Sequence, residues 1–284
     1  MKTRWNNHFQ GSKTAARGRT RFKSGAAFTL VELLVVLAIM AVLFGLVASA
    51  VARAKMSAQR IVCMNNLKQW STATHVYANE NDDLLPRESA VDGINSWEMT
   101  GASTNRDVWY NALAETMLIT PMEHYAQTPS SQQEFYLNGK IFHCPRARFA
   151  PVSATYPNFS LAMNSKLMRD FERADPTSAA AGWSLRRMSE VKAPDRTALF
   201  LDGGVPGEER LCSFQAPYTG QPKAFASQFP GRHNRGGNIA FVDGHVRTLP
   251  GKNVVEMDSA SVFRGNAIFP PGEVVWRHDP ALVP

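Results

Sequence analysis

The hydrophobic pattern divides the chain into one continuous apolar segment near its start and a longer region of short alternating runs. Residues 28–52 are apolar almost throughout, and Glu32 is the one ionisable side chain among them. At about 1.5 Å per residue, a helix of this length spans roughly 36 Å, enough to cross a hydrocarbon core about 30 Å thick. The pattern predicts a membrane-spanning helix over residues 28–51 and disfavours the core helix of a soluble domain.

The same helix is predicted to continue beyond the membrane, over residues 28–85 in all. None of the 17 prolines precedes Pro86, and residues 53–83 contain no glycine, so no helix breaker interrupts this stretch. Its outer part has two apolar stripes, formed by Val62, Trp70, Ala73, Val76 and Tyr77 and by Ile61, Met64 and Leu67. Two stripes indicate that this part of the helix packs against two partners, which would be the chain's own domain and a neighbouring subunit. The alternative is that a single large domain covers both stripes.

From Pro86 onward, short apolar runs alternate with proline, glycine, serine and asparagine, a pattern typical of strands and loops around a sheet. The strands that we predict are Lys140–His143, Thr197–Asp202, Asn238–Val242, His245–Leu249 and Glu273–Trp276. Two further runs, Trp109–Met117 and Ala162–Phe171, predict short helices. The expected fold class is therefore α+β, with a β-rich globular domain over residues 86–284 that packs against the long helix.

The net charge of +7 lies entirely in the first 27 residues, which we interpret as a basic leader peptide. These residues contain seven basic and no acidic side chains, and the remaining chain carries 24 of each. This distribution argues against a nucleic-acid-binding surface and favours a targeting segment. The positive-inside rule then predicts a single-pass protein with a cytoplasmic N-terminus and a periplasmic or otherwise extracytoplasmic C-terminal domain.

The junction between leader and apolar segment reads Gly25-Ala26-Ala27-Phe28-Thr29-Leu30-Val31-Glu32. It closely resembles the class III signal of type IV pilins and type II secretion pseudopilins. The resemblance implies that prepilin peptidase cuts between Ala27 and Phe28 and that Phe28 is then N-methylated. The sequence departs from the family in having Ala27 where glycine is usual before the cut. It also lacks the proline that bends the second half of the helix, and Ser49 is expected to take that place.

The position of Glu32 inside the apolar segment indicates a role in assembly. Inserting a helix with a carboxylate into a membrane costs about 2.5–3.5 kcal/mol, so such a side chain is normally present because it binds a partner. Cleavage before Phe28 would create a positive amine four residues away, and in a filament Glu32 would neutralise the amine of the adjacent subunit. The simpler alternative is a glutamate that reaches the interface or is protonated.

A second processing signal is also present, because Ala48-Ser49-Ala50 resembles the cleavage site of an ordinary secretory signal peptide. Cleavage there would release a soluble protein. The apolar run is long for such a signal and Glu32 interrupts it, so the pilin-like interpretation is preferred.

Near the C-terminus, Asp243-Gly244 separates two alternating runs and predicts a β-hairpin with a two-residue type I′ turn. In that register Val242 pairs with His245, and Ile239, Phe241 and Val246 share one apolar face. His233 precedes Asp243-Gly244 by nine intervening residues.

This H-x9-D-G pattern, at residues 233–244, resembles that of a pilin-like family abundant in planctomycete and verrucomicrobial bacteria. Three further segments match the same family: Cys63-Met64-Asn65-Asn66-Leu67-Lys68-Gln69, Phe142-His143-Cys144-Pro145 and Leu161-Ala162-Met163-Asn164. The role of His233, Asp243 and Gly244 in this motif is left open by the resemblance.

A catalytic or metal site formed by His233, Asp243 and His245, with Asp202, is permitted by the residue types. The strand between His233 and Asp243 spans about 16 Å, which discourages their meeting. We therefore predict that His233 hydrogen-bonds to backbone and fixes its loop. No catalytic residue, metal or cofactor is predicted, and the chain is not expected to be an enzyme.

The three cysteines allow one disulfide and one remaining thiol if the domain lies in an oxidising compartment. A Cys63–Cys144 bond would tie the long helix to the domain. Three pairings are available, and the sequence does not choose among them.

These features together predict a pilin-like or pseudopilin structural subunit of a type II secretion or type IV pilus-like filament. Its expected partners are the lipid bilayer, other pilin-like subunits, the prepilin peptidase and methyltransferase, and a secretion or pilus assembly platform, with no nucleic acid. It is placed in the cytoplasmic membrane or in a surface filament. The alternative is a membrane-tethered surface protein that binds polysaccharide or envelope components without polymerising, using a stacking surface of Trp97, Trp109, Trp183 and Trp276. A secreted hydrolase is a more distant third.

Overall fold

The computed structural model describes residues 28–90, 93–149, 155–167, 186–212, 215–255, 274–277 and 279. The leader at residues 1–27, with Ala27, lies outside the described residues, and so do Trp183 and parts of two predicted elements, residues 168–171 and Glu273. The chain divides into two compact units, residues 1–51 and residues 52–284.

Helix α1 runs from Leu30 to Glu80, which confirms the long N-terminal helix. It ends where Asp82 and Asp83 adopt the left-handed backbone conformation, with φ of 54° and 66°. The Asp83 amide donates to the Ala78 carbonyl at 2.8 Å, which satisfies one of the carbonyls that a helix end leaves without an intrahelical partner. The helix therefore ends at Glu80, before residue 85, where the sequence pattern places its end.

In the first unit, every described residue from Phe28 to Val51 is exposed. Among the described residues, α1 is the one helix that is long and apolar enough to cross a membrane. Large side chains such as Leu30 and Leu46 are 78% and 66% exposed. Apolar surface costs about 25 cal/mol per Å² in water, so this segment is suited to a lipid or protein environment.

In the second unit, the outer part of α1 buries a single face. Leu67 and Trp70, which the sequence assigns to different stripes, lie three residues apart and share that face with Cys63, Asn66, Ser71, Ala73, Thr74 and Ala78. Val62 and Val76 of the first predicted stripe are 48% and 43% exposed, and Ile61 of the second is 61% exposed. The division into two stripes is wrong because neighbouring positions at a spacing of three or four residues belong to one helix face.

The segment after α1 forms four short helices: α2 (Trp97–Gly101), α3 (Trp109–Thr116), α4 (Met122–Tyr125) and α5 (Pro129–Asn138). The 3₁₀ turns are Ser103–Asn105, Lys140–Phe142, Met188–Glu190, Ala226–Gln228 and Gly251–Asn253. The structure confirms the helix predicted at Trp109–Met117.

The strand predicted at Lys140–His143 is wrong, since this segment forms a 3₁₀ turn. Its carbonyls are bonded to side chains of α1: the Asn66 amide donates to Lys140 and His143, and the Trp70 indole donates to Ile141, all at 2.9–3.0 Å. A strand would need those carbonyls for a neighbouring strand. Contacts between distant segments therefore decide the conformation here.

The five-stranded sheet has the order β3-β1-β2-β4-β5. Its strands are β1 (Leu161–Asn164), β2 (Ala198–Asp202), β3 (Lys223–Ala224), β4 (Gly236–Phe241) and β5 (Val246–Pro250). Among the pairs formed by these five strands, β1–β3 is parallel and the other three are antiparallel. The strands predicted at Thr197–Asp202, Asn238–Val242 and His245–Leu249 are confirmed.

Two other predicted elements differ from the structure. The described part of the helix predicted at Ala162–Phe171 contains most of β1, whose four residues are all buried. A short, fully buried strand has no alternating pattern to distinguish it from a buried helix. In the described part of Glu273–Trp276, Val275 makes an isolated bridge to Thr197.

The hairpin between β4 and β5 has a register shifted by one residue from the predicted one. Val246 pairs with Ala240, and Thr248 pairs with Asn238. The Phe241 amide donates to the His245 carbonyl, and the Gly244 amide donates to the Phe241 carbonyl, both at 2.9 Å. This is a three-residue loop with Gly244 at φ 90°, not a two-residue type I′ turn.

The shifted register changes the side-chain faces of the sheet, because a slip of one residue moves a strand's side chains to the other face. Ile239 and Phe241 pack in one core cluster with Phe229 and Trp276. Val246 packs against the other cluster, which contains Trp70. The predicted single apolar face of Ile239, Phe241 and Val246 is therefore wrong.

The sheet separates the two core clusters, and the larger one covers the buried face of α1. The Trp70 ring lies 4.9 Å from Trp109 and 5.0 Å from Phe142 between ring centroids. Trp97, Trp109 and Trp276 are buried, so these three do not form the exposed stacking surface that a polysaccharide site would need.

Replacing Trp70 by alanine is expected to lower the free energy of unfolding by about 3–5 kcal/mol, because it opens a cavity between α1 and the sheet. The measurement is urea unfolding of the full chain in detergent, followed by near-ultraviolet circular dichroism. Val76→Ala, on the exposed side of the same helix, should change stability by less than about 0.5 kcal/mol. Equal effects of the two changes would contradict the packing described here.

Candidate functional site

The first functional element is the start of α1, where Thr29 and Glu32 form a reciprocal capping box. The Thr29 amide and hydroxyl both donate to Glu32 Oε2 at 2.8 Å. In return, the Glu32 amide donates to Thr29 Oγ1 at 3.2 Å. The sequence carries the signal for this arrangement, a threonine followed three residues later by glutamate, and sequence analysis missed it.

The capping box gives Glu32 a partner within a single chain. It satisfies backbone and side-chain donors that would otherwise be unpaired at the helix start, where water is scarce in a bilayer. Both bonds use Oε2, and no described residue donates a hydrogen bond to Oε1. The carboxylate can therefore hold the cap through one oxygen and still accept a donor from outside the chain through the other.

Residues 23–48 match the family model of the prokaryotic N-terminal methylation motif. No curated protein and no solved structure matches the chain. The matched segment contains the predicted cleavage position, Phe28 and Glu32. Together with the long apolar helix and the five-stranded α+β domain, it supports a membrane-anchored, pilin-like protein that is processed by prepilin peptidase.

The residues of the C-terminal motif do not form one site. Asp243 Oδ1 lies 2.6 Å from His245 Nδ1 and accepts the His245 amide at 3.1 Å. The Gly244 carbonyl accepts from Lys68 Nζ at 2.8 Å, so the turn contacts α1. His233 lies in a different cluster. The structure therefore does not assemble the group of His233, Asp243 and His245 that the sequence analysis considered.

His233 lies in the turn before β4, and its side chain contacts other side chains. Its backbone amide donates to the Gly236 carbonyl at 2.9 Å. Its Nε2 lies 3.4 Å from Cys144 Sγ and 3.5 Å from Asp202 Oδ2. The prediction of a side-chain bond to backbone is not borne out in the described residues, where Nδ1 is buried without a hydrogen-bond partner.

Cys63 on α1 completes what we call the Cys–Asp–His cluster: Cys63, Cys144, Asp202 and His233. The Cys63 thiol donates to Asp202 Oδ1 at 2.8 Å. One polar atom from each of the four residues lies within 4.8 Å of the others, and all four residues are buried. Cys63 and Cys144 are thiols in this structure. The structure brings them together, and their disulfide stays a prediction.

Several side chains of this buried cluster have shifted pKa values. Burial raises the pKa of the Cys63 thiol well above its ordinary value. Hydrogen bonding with Cys63, assisted by His233 and Arg232, lowers the pKa of Cys144. Burial, and then the charge on Cys144, raise the pKa of Asp202 to about 6. Burial thus favours the protonated forms of Cys63 and Asp202, because an isolated charge is costly in a buried site.

Arg232 is a charged residue of this region that sequence analysis missed. It is buried beside His233 and forms two bonds to the Glu208 carboxylate, at 2.6 and 2.7 Å. It also donates to the carbonyls of Ser160 and Gly203. These four bonds hold the end of β2, where Asp202 lies, against the turn that carries His233.

Arg232→Ala is expected to destabilise the folded chain by about 3–5 kcal/mol, because it leaves the Glu208 carboxylate buried without its partner. The double variant Arg232→Met with Glu208→Met should recover much of that loss. Arg187→Ala, which removes an exposed bond to the Asp82 carbonyl, serves as the control and should have an effect below about 1 kcal/mol. Urea unfolding of the full chain in detergent measures all of them, and a double variant no better than the single would contradict the expectation.

Proposed function

We propose that the chain is a structural subunit of a type II secretion pseudopilus or a type IV pilus-like filament. The observation that carries the proposal is the N-terminal methylation motif at residues 23–48, which coincides with the start of an apolar helix exposed along its whole described length to Val51. In this proposal the chain has a structural role and is not an enzyme.

The first step is insertion and processing. The basic leader keeps the N-terminus in the cytoplasm, the apolar segment crosses the membrane, and the domain lies in the periplasm or another extracytoplasmic space. Prepilin peptidase then cleaves between Ala27 and Phe28, and the new terminal amine of Phe28 is methylated.

Assembly follows from the apolar surface of residues 30–51. Within a filament, the helices of neighbouring subunits would replace lipid as the environment of these side chains. Packing contacts between helices, rather than hydrophobic transfer, would then supply the affinity. The sequence has no nucleotide-binding motif, so energy for extrusion would come from a separate motor and assembly platform.

Glu32 sets the subunit position in this proposal. Its Oε2 holds the Thr29 cap, and its Oε1 is directed to the methylated amine of an adjacent subunit. A charge pair in a low-dielectric environment is much stronger than one in water, and each partner would otherwise be an isolated charge in the membrane. A subunit placed one residue out of register would lose this pair.

The processing step predicts a mature chain that begins at Phe28 and is heavier by one CH2 than the same chain without methylation, because a methyl group replaces one amine hydrogen. Co-expression with a prepilin peptidase, followed by intact-mass and N-terminal peptide analysis, tests it. Ala27→Gly should increase the cleaved fraction, and Ala27→Arg should abolish cleavage. A mature start after Ala50 would instead support the ordinary signal peptide and overturn the proposal.

Two substitutions separate the charge of Glu32 from its cap. Glu32→Gln preserves a side chain that can cap the helix but removes the charge. Thr29→Ala removes the cap and keeps the charge. We expect Glu32→Gln to reduce sheared filaments about tenfold or more, since the loss of only 1.4 kcal/mol changes an equilibrium tenfold, whereas Thr29→Ala should assemble nearly as the parent does.

The filament measurement requires both variants to be equally processed and equally abundant in the membrane. Loss of filaments in Thr29→Ala with normal assembly of Glu32→Gln would assign Glu32 to the cap and refute the charge pair. Normal processing without filaments for the parent chain, with its assembly platform present, would leave a membrane tether. In that case, retention of the full chain on polysaccharide beads would test the alternative function.

A further inference from the structure

Three separate sequence motifs bring a metal-ligating residue to one place. Cys63 comes from the helix motif, Cys144 from the Phe-His-Cys-Pro segment and His233 from the H-x9-D-G pattern. Asp202, at the end of β2, completes the Cys–Asp–His cluster. Nothing in the proposed filament role uses these four side chains, and all four belong to the second unit.

We propose that the Cys–Asp–His cluster binds one Zn²⁺ ion in a closed structural site. Two thiolates, an imidazole and a carboxylate are a donor set that suits tetrahedral zinc. The proposal departs from the sequence-based expectation of no metal, which considered His233, Asp243 and His245 with Asp202 and did not include the cysteines.

The distances within the cluster suit a tetrahedral ion. With bonds of about 2.0–2.3 Å to zinc, ligand atoms lie about 3.3–3.8 Å from one another. Cys144 Sγ and His233 Nε2 are 3.4 Å apart, and one ligand atom from each of the four residues lies within 4.8 Å of the others. The Cys63 Sγ and Asp202 Oδ1 atoms, now 2.8 Å apart, would separate by several tenths of an ångström when the thiol proton between them is replaced by the ion.

Neighbouring groups already orient two of the ligands, Asp202 and Cys144. The Asn238 amide and side-chain nitrogen donate to Asp202 Oδ2 at 2.7 and 3.0 Å. These bonds hold the carboxylate with Oδ1 towards Cys63, as a monodentate ligand would require. The Cys144 amide donates to Ser160 Oγ at 2.6 Å, which fixes the backbone of the second thiol. Such outer contacts are a regular part of metal sites.

Zinc binding leaves the cluster with a small net negative charge. Each cysteine loses its proton to solvent, so the ion, two thiolates and one carboxylate together carry a charge of −1. The neighbouring Arg232 guanidinium and Glu208 carboxylate compensate each other, so the site keeps this charge. Zinc binding therefore releases two protons and needs no oxidant.

A Cys63–Cys144 disulfide would exclude this site, because it consumes both sulfur ligands. It would also remove the thiol that donates to Asp202 Oδ1 and leave that buried carboxylate oxygen without its donor, which is unfavourable in a buried site. The metal uses all four side chains, whereas the disulfide uses two. This difference favours the metal.

The test uses the full chain, purified in detergent with a thiol-free reductant, freed of metal by a chelator and titrated first with Co²⁺ and then with Zn²⁺. We expect one Co²⁺ per chain, with the visible bands of a tetrahedral ion and a thiolate-to-cobalt charge-transfer band that Zn²⁺ abolishes. Metal analysis after desalting should give one zinc per chain. Failure of the parent chain to retain stoichiometric metal would overturn the proposal.

Matched variants identify the ligands. Cys144→Ser and His233→Ala should abolish the charge-transfer band or shift it, whereas Cys212→Ser, outside the cluster, and His245→Ala, at the hairpin turn, should bind as the parent does. Asn238→Ala should weaken zinc binding about 10–100-fold. Circular dichroism of each apo variant checks its folding, and the parent titration stands even where a variant does not fold.

The disulfide is tested separately, by alkylating the thiols at lysis in denaturant with a chelator. Zinc binding predicts that all three cysteines of the chain are alkylated. If only Cys212 reacts, Cys63 and Cys144 are joined in the cell, and the zinc site is refuted. Neither result bears on filament assembly, so the two proposals fail independently.

Discussion

One uninterrupted helix has to satisfy two different environments. Residues 30–51 of α1 present apolar side chains on every side, which suits lipid or other helices. The outer part of the same helix, between Cys63 and Ala78, has one face in the core of an α+β domain and another in contact with solvent. The absence of proline before residue 86 lets the backbone pass from one environment to the other without a break. The larger core cluster of the second unit packs on that buried face.

The helix therefore dictates the conformation of segments whose own sequences are ambiguous. Lys140–His143 has the apolar content of a strand, but Asn66 and Trp70 of α1 take its carbonyls as hydrogen-bond acceptors. Leu161–Asn164 lies within a segment whose pattern predicts a helix, but it is a strand between β3 and β2 and is buried throughout. Periodicity predicts α1, β2, β4 and β5 because each has a pattern long enough to be distinctive. It fails for short buried segments, where contacts with distant residues decide the backbone.

The candidate sites show the same division between local and distant information. The processing motif and the capping box of Thr29 and Glu32 are local, and both could be read from adjacent residues, although only the first was. The Cys–Asp–His cluster could not be predicted, because Cys63 and Asp202 are 139 positions apart and Cys144 and His233 are 89 apart. In the sequence, each of the four residues belongs to a separate motif or strand. Only the fold brings them together, through α1, the turn after Phe142 and the ends of two strands.

The H-x9-D-G spacing has a structural explanation in this arrangement. His233 and Gly244 lie at opposite ends of β4, whose six residues extend roughly 17 Å at 3.3 Å per residue. The His233 end meets Cys63 in the cluster, and the Gly244 end lies beside Lys68, Ser71 and His75 of the same helix. From Cys63 to His75 the helix rises about 18 Å. The nine intervening residues thus give the strand the length needed to contact α1 at two places. A pattern that first suggests a pair of catalytic residues instead holds the sheet to the helix at both ends of one strand.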